Sequence, residues 1–250
     1  MNITPAKNAA EIMKRGGFLY LTEYDSTKDI DLNIISYLSA DVALGATNLL
    51  PLFVHGIFTS GTVNYNTEQR TFALSGATMT ITATTAAVSK GEELYCYQDG
   101  GYTTFVCVGH SEETTFNAGN PEETYIVNEV EENVGAFADS SVAPVFTHRV
   151  LQSGIDQLAI ACAKDVETST ENGATVISNT ALTDYAGLYV TQRLTAQGTK
   201  KYYVIKFPHL KISTSPDVMF TPNEKTTLEL QFKVLYDAVA DYDYKILEVG

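Results

Sequence analysis

Near its C-terminus the chain alternates apolar and polar positions. In Thr226–Asp237, Leu228, Leu230, Phe232, Val234 and Tyr236 fall on one side, and Thr227, Glu229, Gln231 and Lys233 on the other. Successive side chains of a strand point to opposite faces, so this period of two predicts a strand with one buried and one wetted surface. Lys201–Phe207 predicts a second strand, with Ser213–Asp217 and Pro222–Lys225 as turns between the two. Upstream, strands are expected at 18–21, 52–58, 70–74, 78–85, 93–97, 103–108, 174–177 and 186–191. Turn chemistry separates them at Ser60-Gly61, Ser75-Gly76, Lys90-Gly91, Asp99–Gly101 and Ala196–Thr199. Strands at this spacing predict an antiparallel sandwich or barrel.

Helical spacing is rarer. Leu151, Ile155, Leu158 and Cys162 lie at steps of three and four, which predicts a helix within 150–165 with an apolar side; Ser153-Gly154 delays or kinks its start. Thr4, Pro5 and Gly16-Gly17 supply the cap, first turn and stop of a short N-terminal helix. Ile30, Ile34, Leu38 and Val42 are four apart, but Asn33, Ser36 and Ser39 dilute them, so 27–44 reads as loop with some helix. Glu167–Gly173 reads as a loop, and Glu122 to Glu132 as an acidic edge strand or projecting loop around Tyr125–Val127. No composition break marks a linker. The expected fold class is mainly β: one domain over 1–250, an antiparallel β-sandwich or barrel with one packed α-helix and long loops, and 85–135 as a candidate inserted subdomain.

Composition narrows the function. The 250 residues are 44% hydrophobic, with 15 Tyr and 11 Phe, enough apolar material for a sizeable core. Only 18% are charged, so neutral Thr, Ser and Asn must cover much of the surface. The formal net charge of −14 repels phosphates and argues against a nucleic-acid groove or an anionic membrane surface. Three cysteines, Cys96, Cys107 and Cys162, make no disulfide framework and point to a reducing compartment. Cys96 and Cys107 flank the turn Gln98–Gly101, which leaves open a pair of neighbours across a hairpin; free thiols are favoured. Met1–Pro5 lacks the basic and apolar runs of an export signal, and no apolar run nears the ~20 residues of a transmembrane helix.

Candidate chemistry is sparse. The sequence has no nucleophile elbow, phosphate loop or dinucleotide fingerprint. His55, His110, His148 and His209 lack the spacing of a helical zinc site, and no two cysteines form a zinc knuckle. Asp29 with Asp31, and Asp241 with Asp243, would each share one side of a strand and pair as cation ligands or an acid–base couple, but neither continues into an EF-hand loop. Asp241–Lys245 also suits an exposed strand. No catalytic, cofactor-binding or metal-binding residue is assigned, and no enzyme is expected.

Tyr202-Tyr-Val-Ile-Lys-Phe-Pro-His-Leu-Lys-Ile-Ser213, a Pro-containing turn and Thr227-Leu-Glu-Leu-Gln-Phe-Lys-Val-Leu-Tyr-Asp237 resemble the closing strands of major tail (tail tube) proteins of long-tailed bacteriophages. Phe53–Phe58 followed by Gly61–Val63 loosely resembles their early strand and turn, and 150–165 their single packed helix. The resemblance implies a structural virion protein. Its subunits would form homohexameric rings stacked into a tube, meet tape-measure and terminator proteins, and pass DNA without binding it specifically, with assembly in the host cytoplasm and no membrane partner. Related readings are a head decoration protein, a tail terminator or a baseplate component. A carbohydrate-binding sandwich or glycan hydrolase is a further class, which the absence of Trp opposes.

Overall fold

A computed structural model of the chain describes residues 17–119, 123–126, 133–137, 143–150, 155–164, 166–168, 175–177, 184–194, 200–213 and 228–249. The strands are, in order, β1 (Phe18–Glu23), β2 (Asn33–Tyr37), β3 (Asn48–Leu49), β4 (Ser60–Tyr65), β5 (Glu68–Ser75), β6 (Thr78–Ile81), β7 (Glu93–Tyr97), β8 (Val106–Asn117), β9 (Glu123–Ile126), β10 (Asn133–Phe137) and β11 (Val145–Val150). Helix α1 (Ile155–Ala161) follows, then β12 (Val166–Thr168), β13 (Thr175–Ile177), β14 (Tyr185–Leu194), β15 (Lys200–Ile212), β16 (Leu228–Leu235) and β17 (Lys245–Val249). The fold is mainly β and its strand pairs are antiparallel.

The larger sheet runs β14-β1-β8-β11-β16-β15-β17, and β14 also pairs with β15, so the order closes into a barrel. Two bulges shape it. Leu19 pairs with Gly109 and Tyr20 with Cys107, which leaves Val108 as the extra residue of β8; Gly109 sits at φ 120. On β15, Pro208 and His209 together oppose Ala186, a position that suits a residue without an N–H. β17 pairs with the first half of β15 and β16 with its end, so the two behave as one strand interrupted by 236–244.

The second sheet runs β2-β7-β4-β5-β6-β3 and takes all its strands from residues 33–81 and 93–97, between β1 and β8. It curls: Leu38 bridges Pro51 and Val42 bridges Val88, bringing its two edges together. Incoming and outgoing segments are zipped to each other. Asn33 Nδ2 donates to Tyr102 O (2.6 Å), and Tyr102 N donates to Asn33 Oδ1 (2.9 Å).

The barrel wall β1–β14–β15 is buried on both faces. Leu19, Leu21, Tyr185, Tyr189, Ile205 and Phe207 point into the barrel. Phe18, Tyr20, Leu188, Val190, Tyr202 and Val204 point to the smaller sheet. Burying a large apolar side chain is worth about 1.5–3 kcal/mol, so this double-sided wall couples the stability of the two sheets. Ile160 and Ala161 of α1 join the barrel core, and the helix packs against β16.

Several expectations are met. β1, β5, β7, β13, β14, β15 and β16 fall where strands were expected, and the buried–exposed alternation of Leu228–Leu235 is the one read from the sequence. Others are corrected. Residues 52–58 form no strand: Phe53 and Ile57 anchor an irregular segment at a spacing of four, and Gly56 takes φ 81. Residues 27–44 contain a 3-10 turn (Ile30–Leu32) and β2, whose five residues are all buried; burial of both faces erased the alternation. Ser60-Gly61 opens β4 and is not a turn; a side chain at Gly61 would stand 2.6 Å from Tyr97 O. β6 stops at Ile81, β8 begins at Val106 and extends to Asn117, and β12 occupies the start of the expected 167–173 loop. Asp241, at φ 63, lies in a turn, and the expected 241–245 strand begins only at Lys245. Tyr236 lies beyond β16 and is 60% exposed. The helix is present, but Gln157 and Ile160 are on its buried side while Leu158 and Cys162 are half-buried. The acidic stretch contributes β9, paired with β10 in a separate hairpin. The N-terminal helix, Leu151, the 196–199 turn and most of both closing turns lie outside the described residues.

Candidate functional site

Three strands build the solvent-facing wall of the barrel. Register places Thr115 beside Thr147 and Thr147 beside Gln231; the next outward row is Glu113, Arg149 and Glu229, and the row on the other side is Asn117, Val145 and Lys233. The intervening rows, Phe116–Phe146–Phe232 and Thr114–His148–Leu230, point inward. Arg149 lies between two carboxylates, with Nη2 3.0 Å from Glu229 Oε2 and Nη1 3.6 Å from Glu113 Oε2. Exposed pairs of this kind add at most about 1 kcal/mol each, so their main effect is on surface charge. With Thr115 and Thr147 they line a shallow groove of about 220 Å³. The face presents hydroxyls, amides and balanced charge.

A second polar cluster lies in the seam between barrel and smaller sheet. Tyr20 Oη donates to Glu93 Oε1 (3.0 Å), and Tyr95 Oη donates to Glu93 Oε2. A phenol has one proton, so Tyr37 Oη must donate to Tyr20 Oη across their 2.7 Å contact. Burial, reinforced by the Glu93 charge, holds all three phenols well above their ordinary pKa. Here a carboxylate satisfies hydroxyls from both sheets.

A third cluster clasps the 3-10 turn to β15 and β17. Lys206 Nζ donates to Ile30 O (3.2 Å) and Asp31 O (2.9 Å). Asp31 accepts from Tyr242 Oη (2.8 Å) and Lys245 Nζ (2.7 Å). Burial pushes Lys206 down to about 8, against the pull of Asp31. Burial also pushes Asp31 upward, but hydrogen bonds from Lys245 and Tyr242 outweigh it and the carboxyl stays below its ordinary value. Nearby, Tyr24 stacks on His209 at 4.0 Å and donates to Asp237 Oδ2 (2.6 Å), while His209 Nε2 meets Asp184 Oδ2 at 2.8 Å.

The residues singled out by sequence do not converge. His55 is exposed in a loop, His148 is inside the barrel and His209 is on β15; the His110 side chain lies outside the described set. Among the described residues, no group of three or more His, Cys, Asp or Glu is placed to hold a metal ion. Asp29 accepts from Asp31 N, Asp31 joins the clasp, Asp241 accepts from Tyr236 Oη and Asp243 from Tyr244 N, so neither pair forms a shared carboxylate site. Cys96 and Cys107 are buried thiols, not joined in a disulfide, on strands of different sheets, which excludes neighbours across a hairpin. Sequence reading missed Glu93 and Lys206 and gave no sign that His148 faces inward, because a strand carrying polar residues on a buried face looks like one with a wet face. It also missed Gln157, whose Nε2 donates to Val108 O (3.1 Å), the carbonyl of the bulged residue. A scan of protein-family models finds no match to the chain, and no curated protein matches it.

Proposed function

We propose that the chain is a structural subunit that works by self-assembly: a tail tube protein of a long-tailed bacteriophage, forming stacked hexameric rings around a channel for DNA. The observation that carries this reading is the β8–β11–β16 wall, apolar and helix-packed inside, polar and charge-balanced outside. A surface that lines a channel for DNA must be wet yet offer no unbalanced cations, because each phosphate contact adds salt-dependent affinity. Holding Arg149 between Glu113 and Glu229 meets that requirement for Arg149, the two carboxylates match Arg149 and Lys233 in number, and hydroxyl and amide rows keep the wall hydrated. The wall carries two cations, Arg149 and Lys233, against two carboxylates, Glu113 and Glu229, and Arg149 is the one held in ion pairs. In this role the protein performs no bond-making chemistry, contacts tape-measure and terminator proteins at the tube ends, and resides in the virion.

The test is negative-stain microscopy of the purified chain with light scattering across concentration. Six-fold rings and stacked tubes are expected. Rings that never stack would assign the chain to a terminator role, and a monomer at every concentration would overturn self-assembly.

A further inference from the structure

The smaller sheet has a face whose composition differs from the rest of the molecule. Residues 42–67 and 71–89 contain no Asp, Glu, Lys or Arg, in a chain of net charge −14. Register assembles these stretches into one outward wall: Asn48 pairs with Thr80, Thr80 with Ala73, and Ala73 with Ser60, all exposed. Leu50, two residues beyond Asn48, is 44% exposed, and Leu44 in the adjoining turn is 68% exposed. The opposite side chains, Leu49, Met79, Leu74 and Phe72, face the sheet's own core, so the outward wall is not needed for folding.

We infer that this uncharged wall is the surface on which a second copy of the chain docks. The inference rests on the self-assembly reading and supplies its contact surface. Copies carrying −14 repel one another, and repulsion requires charge on both sides of a contact. A wall with no charge removes one side of that interaction, whichever surface the neighbour presents. It also avoids the desolvation cost of burying ions, and its Thr, Ser and Asn hydroxyls and amides retain hydrogen-bonding capacity. Two exposed leucines add apolar area. A β5-length wall four strands wide covers on the order of 500 Å², from strand spacing and rise. A standard interface buries about 800 Å² per partner, so one such contact is weak and a closed ring that repeats it is stable.

The experiment is sedimentation velocity on three forms of the full chain: wild type, Thr71→Glu/Thr80→Glu on the wall, and Ser26→Glu/Thr104→Glu at exposed positions elsewhere. Circular dichroism first checks that all three melt within a few degrees of one another. The wall variant is expected to need at least tenfold more protein to assemble in 50 mM salt, with the deficit shrinking in 0.5 M salt; the control is expected to assemble like wild type. Assembly of the wall variant at wild-type concentrations overturns this surface and leaves self-assembly standing. An equal loss in the control also overturns it, because added charge anywhere would then suffice. A wild type that stays monomeric overturns both.

Discussion

At the scale of single residues, the positions under strain make the sharpest predictions. Asn66 (φ 39) and Thr67 (φ 66) form the two-residue connection of the β4–β5 hairpin. Positive φ suits Gly at the second position and penalises a β-branched side chain. Thr67→Gly should therefore stabilise the protein by about 1 kcal/mol, read as a higher midpoint in urea. His148 is fully buried, its Nδ1 is 3.0 Å from Thr114 Oγ1, and its Nε2 has no partner. Burial pushes it down to about 3 from an ordinary 6.5. Between those values the unfolded chain binds a proton that the native state refuses, so stability falls as pH drops from 6.5 toward 3, by at most about 5 kcal/mol. His148→Phe should flatten this acid limb in urea melts at pH 4 and pH 7. An unchanged pH dependence would refute the assignment. Little in the sequence announces this histidine: Val145–Val150 is short and alternates Phe and His with Thr and Arg, so only the register with β8 and β16 reveals its inward face.

At the scale of elements, alternation was legible where one face of a strand meets water and hidden where it does not. β16 could be read almost residue by residue, because Glu229 and Lys233 are exposed while Leu230 and Phe232 are buried. Phe232→Asp should abolish soluble folding, since an unpaired carboxylate in that core costs several kcal/mol, and Glu229→Gln should fold normally. Soluble expression with a wild-type melting temperature for Phe232→Asp would contradict the facing. β2 was illegible because both its faces are covered, and α1 also buries Gln157, whose donation to the carbonyl of the bulged Val108 only the folded chain reveals. None of the candidate polar clusters was legible, since each joins residues far apart in the chain.

At the scale of the whole molecule, two sheets share one wall and polar groups sit where they meet. Removing Glu93 takes away the carboxylate that accepts from the phenols of Tyr20 and Tyr95. Glu93→Ala should cost about 2–3 kcal/mol and lower the melting temperature by roughly 5–10 °C, measured by calorimetry. The pH profile should be shifted to the alkaline side. Lys206, held near 8 against an ordinary 10.5, is neutral in the native state while still charged in the unfolded chain across that window, so stability rises with pH there. Tyr24, Tyr65 and Tyr102, pushed up to about 12 by burial, act in the opposite sense above 10, where the unfolded chain loses its phenol protons first. Maximum stability is expected between about pH 8 and 10, and Lys206→Met should remove the rise above 8; a maximum near pH 6 in thermal melts would contradict it. The Asn33–Tyr102 pair has one more consequence. It holds the two chain crossings of the smaller sheet side by side, so a short splice there could exchange that sheet for another that covers the same apolar wall, without breaking a hydrogen bond between barrel strands.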